Sequence, residues 1–305
     1  MSGVHQEEHD ATNAYQSLSE TTAHDDPRWA FGSGFEDVEA EISAPVPDGT
    51  DPADLAAYCL MLGDDALVCS HRLSEWVSHA PELEEEVALA NIALDLLGQA
   101  RVLLSRAGHV EGVGRDEDAL AYFRDQAEFR NVALAETSDD RDFGRCIARL
   151  LLFSTWRLAL LQRLRGSADP VLAAVAGKGV KEMAYHRDYA ARWTLRLGDG
   201  TTESHRRVQD GLNTVWPFVD ELFRTSAEER RLLGPGVSVD PAQAREEFDA
   251  VLDQVLAAAT LTRPDRPAMG PLGGRGGRQG VHTEAFGHVL DQMQGLARRH
   301  PGATW

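Results

Sequence analysis

A line of polar side chains runs through the most apolar helical segment of the sequence. Asn91, Asp95 and Gln99 recur every four residues within the second predicted helix, at about 82–107, where apolar residues otherwise dominate. Side chains four residues apart share one face of a helix, and buried polar groups must find hydrogen-bond partners. Two interpretations stay open: a polar network between helices, or a metal or catalytic site.

The metal interpretation has a specific sequence requirement. A carboxylate di-iron bundle takes a Glu from each of two helices and a Glu-x-x-His motif from each of two others. None of the eleven histidines has a Glu three residues before it. After Asp95, the position that the motif would need is Gly98, which has no side chain to bind a metal. The sequence therefore lacks this di-iron motif, and we assign no metal ligand and no catalytic residue to the chain.

Glu and His also occur four residues apart, which places both on one helix face. The pairs are Glu75/His79, Glu182/His186 and Glu284/His288. For each pair a salt bridge or hydrogen bond is the ordinary interpretation. We expect a buried Asp95 to accept a hydrogen bond from His186. Asp95, Glu182 and His186 would then form a vestigial polar site that leaves no buried charge unpaired. The alternative is a degenerate di-iron site on the same three residues.

A glycine-rich segment near the C-terminus, GGRGGRQG at 273–280, contains Arg275 and Arg278. Glycine lets backbone amides approach an anion, and Arg binds phosphate through two parallel hydrogen bonds. The segment lacks the terminal Lys and the preceding strand of a nucleotide-binding loop. It predicts a flexible contact to a partner protein or, alternatively, to a coenzyme A phosphate.

The elements that position these residues are helical. A 3.6-residue period predicts helices at about 52–79, 82–107, 116–136, 141–165, 169–197, 202–225, 240–260 and 282–299. Asp51 and the Asp169-Pro170 pair are typical helix starts, Gly108 is expected to end the second helix, and Pro217 to kink the sixth. The second helix has an apolar stripe with the helical period, at Leu83, Val87, Ala90, Leu94, Leu97 and Leu104. Between Val87 and Leu97 it is apolar on nearly all sides, which predicts a central, buried helix. Long helices with short connections favour an all-α bundle over residues 51–305.

Residues 1–50 differ in composition from the rest. They hold eleven acidic side chains and only Arg28 against them, over half of the net charge of −19. We expect a mostly disordered acidic tail, with 1–28 mobile and with Trp29, Phe31 and Phe35 as an anchor on the helical domain or on a partner protein. The negative charge argues against nucleic-acid partners. No signal peptide and no run of about 18 uncharged apolar residues is present, so the cytoplasm is expected, with no membrane span.

Three stretches, 62–101, 181–201 and 273–294, resemble the C-subunit family of phenylacetyl-CoA epoxidases, and the similarity extends over about 51–305. The resemblance implies a ferritin-like helical fold and a structural, non-catalytic subunit in aerobic phenylacetate breakdown. It implies a complex with a homologous A subunit that holds the di-iron centre and the thioester, a small B subunit, and an NADPH-dependent reductase with FAD and iron–sulfur. A helical interaction protein without an oxygenase link is the remaining alternative.

Overall fold

The computed structural model describes residues 42–268 and 276–303, and this part of the chain is all-α, as predicted. The predicted mobile segment 1–28, the aromatic anchor and Arg275 lie outside the described residues. The α-helices are α1 (Pro52–Ser74), α2 (Leu83–Glu111), α3 (Glu117–Tyr122), α4 (Ala133–Glu136), α5 (Phe143–Leu164), α6 (Pro170–Gly198), α7 (Thr202–Val215), α8 (Ala227–Leu232), α9 (Arg245–Ala258) and α10 (Glu284–Arg299). Short 3₁₀ helices occupy Gln126–Glu128, Trp216–Phe223, Pro241–Ala244 and Gly277–Gln279.

Helix starts follow local sequence chemistry. The Asp51 carboxylate accepts a hydrogen bond from the Ala53 amide at 2.9 Å, and Pro52 occupies the first turn of α1, where no backbone donor is needed. The same combination recurs at α6, where Asp169 accepts from the Leu172 amide at 3.0 Å and Pro170 follows. Both predicted helix starts are confirmed, because side-chain oxygens satisfy amides that the first turn leaves free.

Four long helices, α1, α2, α5 and α6, form the bundle that the ferritin-like resemblance implied. α1 and α2 run antiparallel: the Ser70 hydroxyl donates to the Ala93 carbonyl at 2.6 Å, and Gly63 lies against Leu104 at the other end. Most of α5 is buried, and it packs on α6, α7 and α9. The core is therefore built from helix faces, with α5 at its centre.

Several predicted boundaries were wrong for identifiable reasons. The region 116–136 is not one helix, because Asp125 caps a separate 3₁₀ turn after α3. α7 ends at Val215 and a 3₁₀ helix containing Pro217 follows it, so the proline interrupts the helix rather than merely kinking it. α2 passes through Gly108 and ends at Gly112, which has the left-handed φ of 68° that favours glycine.

The prediction that α2 is buried on nearly all sides was also wrong. Leu83, Val87 and Leu94 are exposed, whereas Leu89, Ile92 and Leu96 on the opposite side are buried. By length and composition alone, α2 is apolar enough to cross a membrane, although buried helices of bundles meet the same criterion. An apolar stripe on a helix does not reveal whether it faces the core of its own domain.

Gly108 and Gly177 provide a matched test of this packing. A Cβ added at Gly108 in α2 would lie 2.0 Å from the Arg115 carbonyl oxygen, whereas one added at Gly177 in α6 meets nothing within 4 Å. We expect Gly108→Ala to lower the free energy of unfolding by about 1–3 kcal/mol through overpacking. Gly177→Ala should raise it by about 0.5–1 kcal/mol, because Ala loses less backbone entropy in a helix. Urea unfolding followed by circular dichroism measures both, and equal effects would contradict the close packing of Arg115 on α2.

Candidate functional site

Antiparallel packing of α2 against α6 brings the sequence-predicted residues together. His186 Nε2 lies 3.0 Å from Asp95 Oδ2, and one helical turn away Gln99 Nε2 lies 2.8 Å from Glu182 Oε2. The four-residue spacing on each helix produces this pair of contacts, because four residues are close to one helical turn. The predicted hydrogen bond between Asp95 and His186 is confirmed.

The two members of the first contact differ in burial. The His186 side chain is fully buried, while the Asp95 side chain is 22% exposed. The expectation of a buried Asp95 was therefore only partly right, because the neighbouring stripe of α2 faces solvent. A carboxylate can only accept, so the imidazole donates through Nε2–H. The contact holds the ring of His186 against α2.

The second contact continues into the centre of the bundle. The Gln99 amide donates to Glu182 with its nitrogen, and its oxygen accepts a hydrogen bond from Arg157 Nε at 3.0 Å. Arg157, on α5, also donates through Nη2 to the Leu62 carbonyl of α1 at 3.2 Å. These polar contacts link all four long helices. We call Arg157, Gln99 and Glu182 the central relay.

Burial shapes the protonation of the central relay. Burial raises the pKa of the Glu182 carboxyl above its ordinary value, and the hydrogen bond from Gln99 offsets part of this effect. Burial lowers the pKa of the Arg157 guanidinium, and the nearby Asp65 carboxylate opposes that change. Because a guanidinium keeps its proton far above neutral pH, Arg157 brings a cation into the core.

Asp95, Glu182 and His186 do not fit a degenerate di-iron centre. Glu182 Oε2 is engaged by Gln99, and His186 Nε2 is turned toward Asp95. Over the described ranges, no three His, Cys, Asp or Glu side chains form a cluster able to hold a metal ion. The Arg157 guanidinium, hydrogen-bonded to Gln99, would moreover repel a second cation beside it. The arrangement can hold helices in register, and we derive no reaction step from it.

Arg157 was missed at the level of sequence, although a signal was present. It stands alone between apolar residues in LLLFSTWRLALL, a segment too apolar to lie at the surface. A single charged residue inside such a run must be buried with acceptors around it. Its hydrogen-bond acceptor could not be identified from the sequence, because Gln99 lies 58 positions away from Arg157.

The structure places Arg278 differently from the predicted partner or phosphate contact. Its Nη2 forms a salt bridge with Asp65 Oδ2 at 2.8 Å, and its Nη1 donates to the Met61 and Arg130 carbonyls at 2.9 and 2.8 Å. The preceding Gly277 packs so closely that a Cβ would lie 2.1 Å from the Asn131 carbonyl oxygen. In the described residues after 275, Arg278 therefore attaches the glycine-rich segment to α1. Its guanidinium is paired with a buried carboxylate and does not face solvent.

The other two Glu/His pairs do not form the predicted contact. Glu75 accepts from Arg72 Nη1 at 2.9 Å, and His79 Nδ1 lies 3.1 Å from the Val77 carbonyl, because α1 ends before His79. Within the described part of the chain, no hydrogen bond joins Glu284 to His288.

Glu85, which sequence reasoning left out, makes a contact between α2 and α6 of its own. Its carboxylate accepts hydrogen bonds from the Tyr189 hydroxyl and from Trp193 Nε1, the latter at 2.7 Å. Its four-residue-spaced partners on α6 were visible in the sequence, but nothing there indicated which acidic residue at the start of α2 would face them.

Comparisons with known proteins show the family of this chain. A family model described as phenylacetic acid catabolic protein matches residues 42–305. The chain therefore belongs to the phenylacetic acid catabolic protein family. It is also 44% identical over 251 residues to the C subunit of 1,2-phenylacetyl-CoA epoxidase of Escherichia coli (strain K12), a match that covers 82% of this chain and 99% of that relative. The resemblance found in the sequence is confirmed.

The Asp95–His186 contact can be tested by a double-mutant cycle. Asp95→Ala leaves a buried His186 donor without its acceptor and should lower the free energy of unfolding by about 1–3 kcal/mol. Asp95→Ala combined with His186→Leu should cost less than the sum of the single changes, because the stranded donor is gone.

Asp188→Ala is the matched control, since Asp188 on α6 pairs with Arg192, which is largely exposed, and such a pair contributes about 0–1 kcal/mol. Urea unfolding of each variant gives the free energies. If the free-energy effects of Asp95→Ala and His186→Leu simply add, Asp95 and His186 do not interact.

Proposed function

We propose that this chain is a structural, non-catalytic subunit of a phenylacetyl-CoA epoxidase, acting in aerobic phenylacetate breakdown. The relative that it matches over nearly its whole length is, by its name, the C subunit of such an enzyme. In this role the chain stabilises a homologous A subunit, which holds the di-iron centre. The chemistry of the chain itself would be confined to hydrogen bonds and ion pairs.

The observation that carries the non-catalytic role is the central relay. In di-iron bundles the inward-facing groups of four helices are carboxylates and histidines that bind the metals. Here the inward groups at the junction of the four long helices are a guanidinium, an amide and one carboxylate, from Arg157, Gln99 and Glu182. A fixed guanidinium supplies positive charge beside this carboxylate. The helices would thus keep their spacing without a bound ion.

The remaining components follow from the resemblance. We propose a catalytic A subunit, a small B subunit and a reductase with FAD and iron–sulfur, which passes electrons from NADPH to the di-iron centre for reaction with oxygen. No cofactor is assigned to this chain. Its expected location is the cytoplasm.

Co-purification tests the proposal. A tagged chain isolated from cells grown on phenylacetate should bring down a helical partner with Glu-x-x-His motifs, and the pair should elute together in size exclusion at micromolar concentration. The purified single chain should contain no stoichiometric iron, because its inward residues lack a metal-binding set. A tagged chain with Leu296→Glu, a substitution at an exposed position of α10, controls for nonspecific effects on co-purification.

Separate elution of the co-expressed subunits would refute the structural role. Two irons per single chain, lost on Glu182→Ala, would instead support an oxygenase that acts by itself.

A further inference from the structure

The exposed side of α2 is apolar over three turns. Leu83, Val87 and Leu94 are 71%, 53% and 42% exposed, and Ala90 lies between them in the same row. We call these four residues the outer stripe of α2. It extends over about 16 Å at 1.5 Å per residue. Single exposed apolar residues are ordinary, but a contiguous row on one helix marks an interaction surface.

The neighbouring helix enlarges this surface. α6 lies beside α2 through the Asp95–His186 contact, and Tyr185, one residue earlier, is 38% exposed. Beside it a cleft of about 250 Å³ is lined by three aromatic residues and by two acidic and two basic ones: Tyr185, Tyr189, Trp193, Glu85, Asp188, Arg192 and Arg196. Tyrosine and tryptophan at a cleft favour binding of another protein, because they bury large areas and lose few rotamers. Together the outer stripe and Tyr185 form a two-helix platform.

One end of the platform is negatively charged. Glu82 directly precedes α2, and Glu84 and Glu86 lie in its first turn beside Leu83; none of the described residues forms an ion pair with them. Two basic side chains of α6 have acidic partners, since Arg192 pairs with Asp188 at 2.9 Å and Lys178 lies 3.5 Å from Glu182, and Arg196 lies over the Trp193 ring at 4.8 Å. A ligand of this surface should therefore combine apolar side chains with Lys or Arg at the start of α2.

The charge narrows the choice of occupant. An anionic membrane would be repelled by the three glutamates. The segment 1–41 of this chain is itself acidic and would be repelled in the same way. A second copy carries the same net charge of −19, so bringing two copies together costs electrostatic energy. A different protein with a basic edge fits best.

We propose that the two-helix platform is the docking surface for another subunit of the same epoxidase, one that presents an amphipathic helix pair with a basic edge. This inference rests on the proposed function. A stable interface needs about 800 Å² from each partner, which is more than one helix stripe supplies, so both α2 and α6 must take part. Binding would cover Asp95 and complete the burial of the Asp95–His186 contact.

The experiment compares two sets of charged substitutions. Val87→Glu with Leu94→Glu places two carboxylates inside the platform, and Leu296→Glu places one on α10, where Leu296 is similarly exposed at 48%. The dissociation constant of the full chain for the remaining purified epoxidase subunits is measured by calorimetry. The double variant should raise it at least about 30-fold, as truncation of a hot spot does, while Leu296→Glu should change it less than about threefold.

A charge swap tests the basic edge separately. Glu84→Lys with Glu86→Lys should slow association and reduce its dependence on salt, because edge charges act mainly on the rate of encounter. Circular dichroism and the melting temperature of each variant confirm that it folds, as expected for substitutions at exposed positions.

The outcomes are distinguishable. If the wild-type chain binds the other subunits and the Val87→Glu, Leu94→Glu chain binds equally well, the platform is overturned and the proposed function stands. If the wild-type chain binds none of them, the proposed function falls, and this surface with it. The platform is also overturned, in favour of another occupant, if the wild-type chain self-associates or sediments with phosphatidylglycerol vesicles and the double variant does neither. The platform as a subunit-docking surface is likewise overturned, in favour of the segment 1–41 as occupant, if deleting 1–41 makes the chain bind an apolar dye and the Val87→Glu, Leu94→Glu substitutions abolish that binding.

Discussion

The arrangement of the four long helices depends on the hydrogen bonds of one guanidinium at their centre. Arg157 is fully buried on α5, and a buried cation is costly unless acceptors surround it. Acceptors for Nε and Nη2 come from two other helices, the Gln99 amide of α2 and the Leu62 carbonyl of α1, while Nη1 has no hydrogen-bond partner among the described residues. Gln99 connects onward to Glu182 of α6. A shift of any one helix along its axis would break one of these contacts. Buried ionic groups contribute little net stability, but removing one partner is strongly destabilising, so the central relay specifies one arrangement of the helices.

Buried arginines also attach the outer segments to the bundle. Buried salt bridges join Arg106 to Asp169, Arg124 to Asp64, Arg149 to Asp139 and Arg278 to Asp65. Arg106 also donates to the Ile42 and Ala44 carbonyls, which anchors the chain just before α1. Planar guanidinium groups suit this task, because each reaches several acceptors in fixed directions. A frame fixed in this way holds α2 and α6 at a constant spacing, which a docking platform requires.

Sequence reasoning succeeded where the signal is local. Asp51 and the Asp169-Pro170 pair predicted helix starts, and the four-residue spacing predicted that Asp95 meets His186. Sequence reasoning failed where the environment of a side chain depends on residues that are distant in the sequence. The row Leu83, Val87, Leu94 has the same period whether it faces a core or a partner, so periodicity alone assigned it to the core. The glycine-rich surroundings of Arg278 suggested flexibility, but the Asp65 carboxylate that pairs with it lies more than two hundred residues away.

The most direct test of the structural role is catalysis by an assembled complex. This chain carrying Glu182→Gln and His186→Leu together would be reconstituted with the proposed A, B and reductase subunits, and oxygen consumption would be measured per complex in the presence of phenylacetyl-CoA and NADPH. A structural subunit predicts turnover within about twofold of wild type once assembly is verified by size exclusion. If these side chains act as acid–base catalysts or bind a catalytic metal, turnover should fall about 100-fold or more. Such a loss in an intact complex would contradict the structural role.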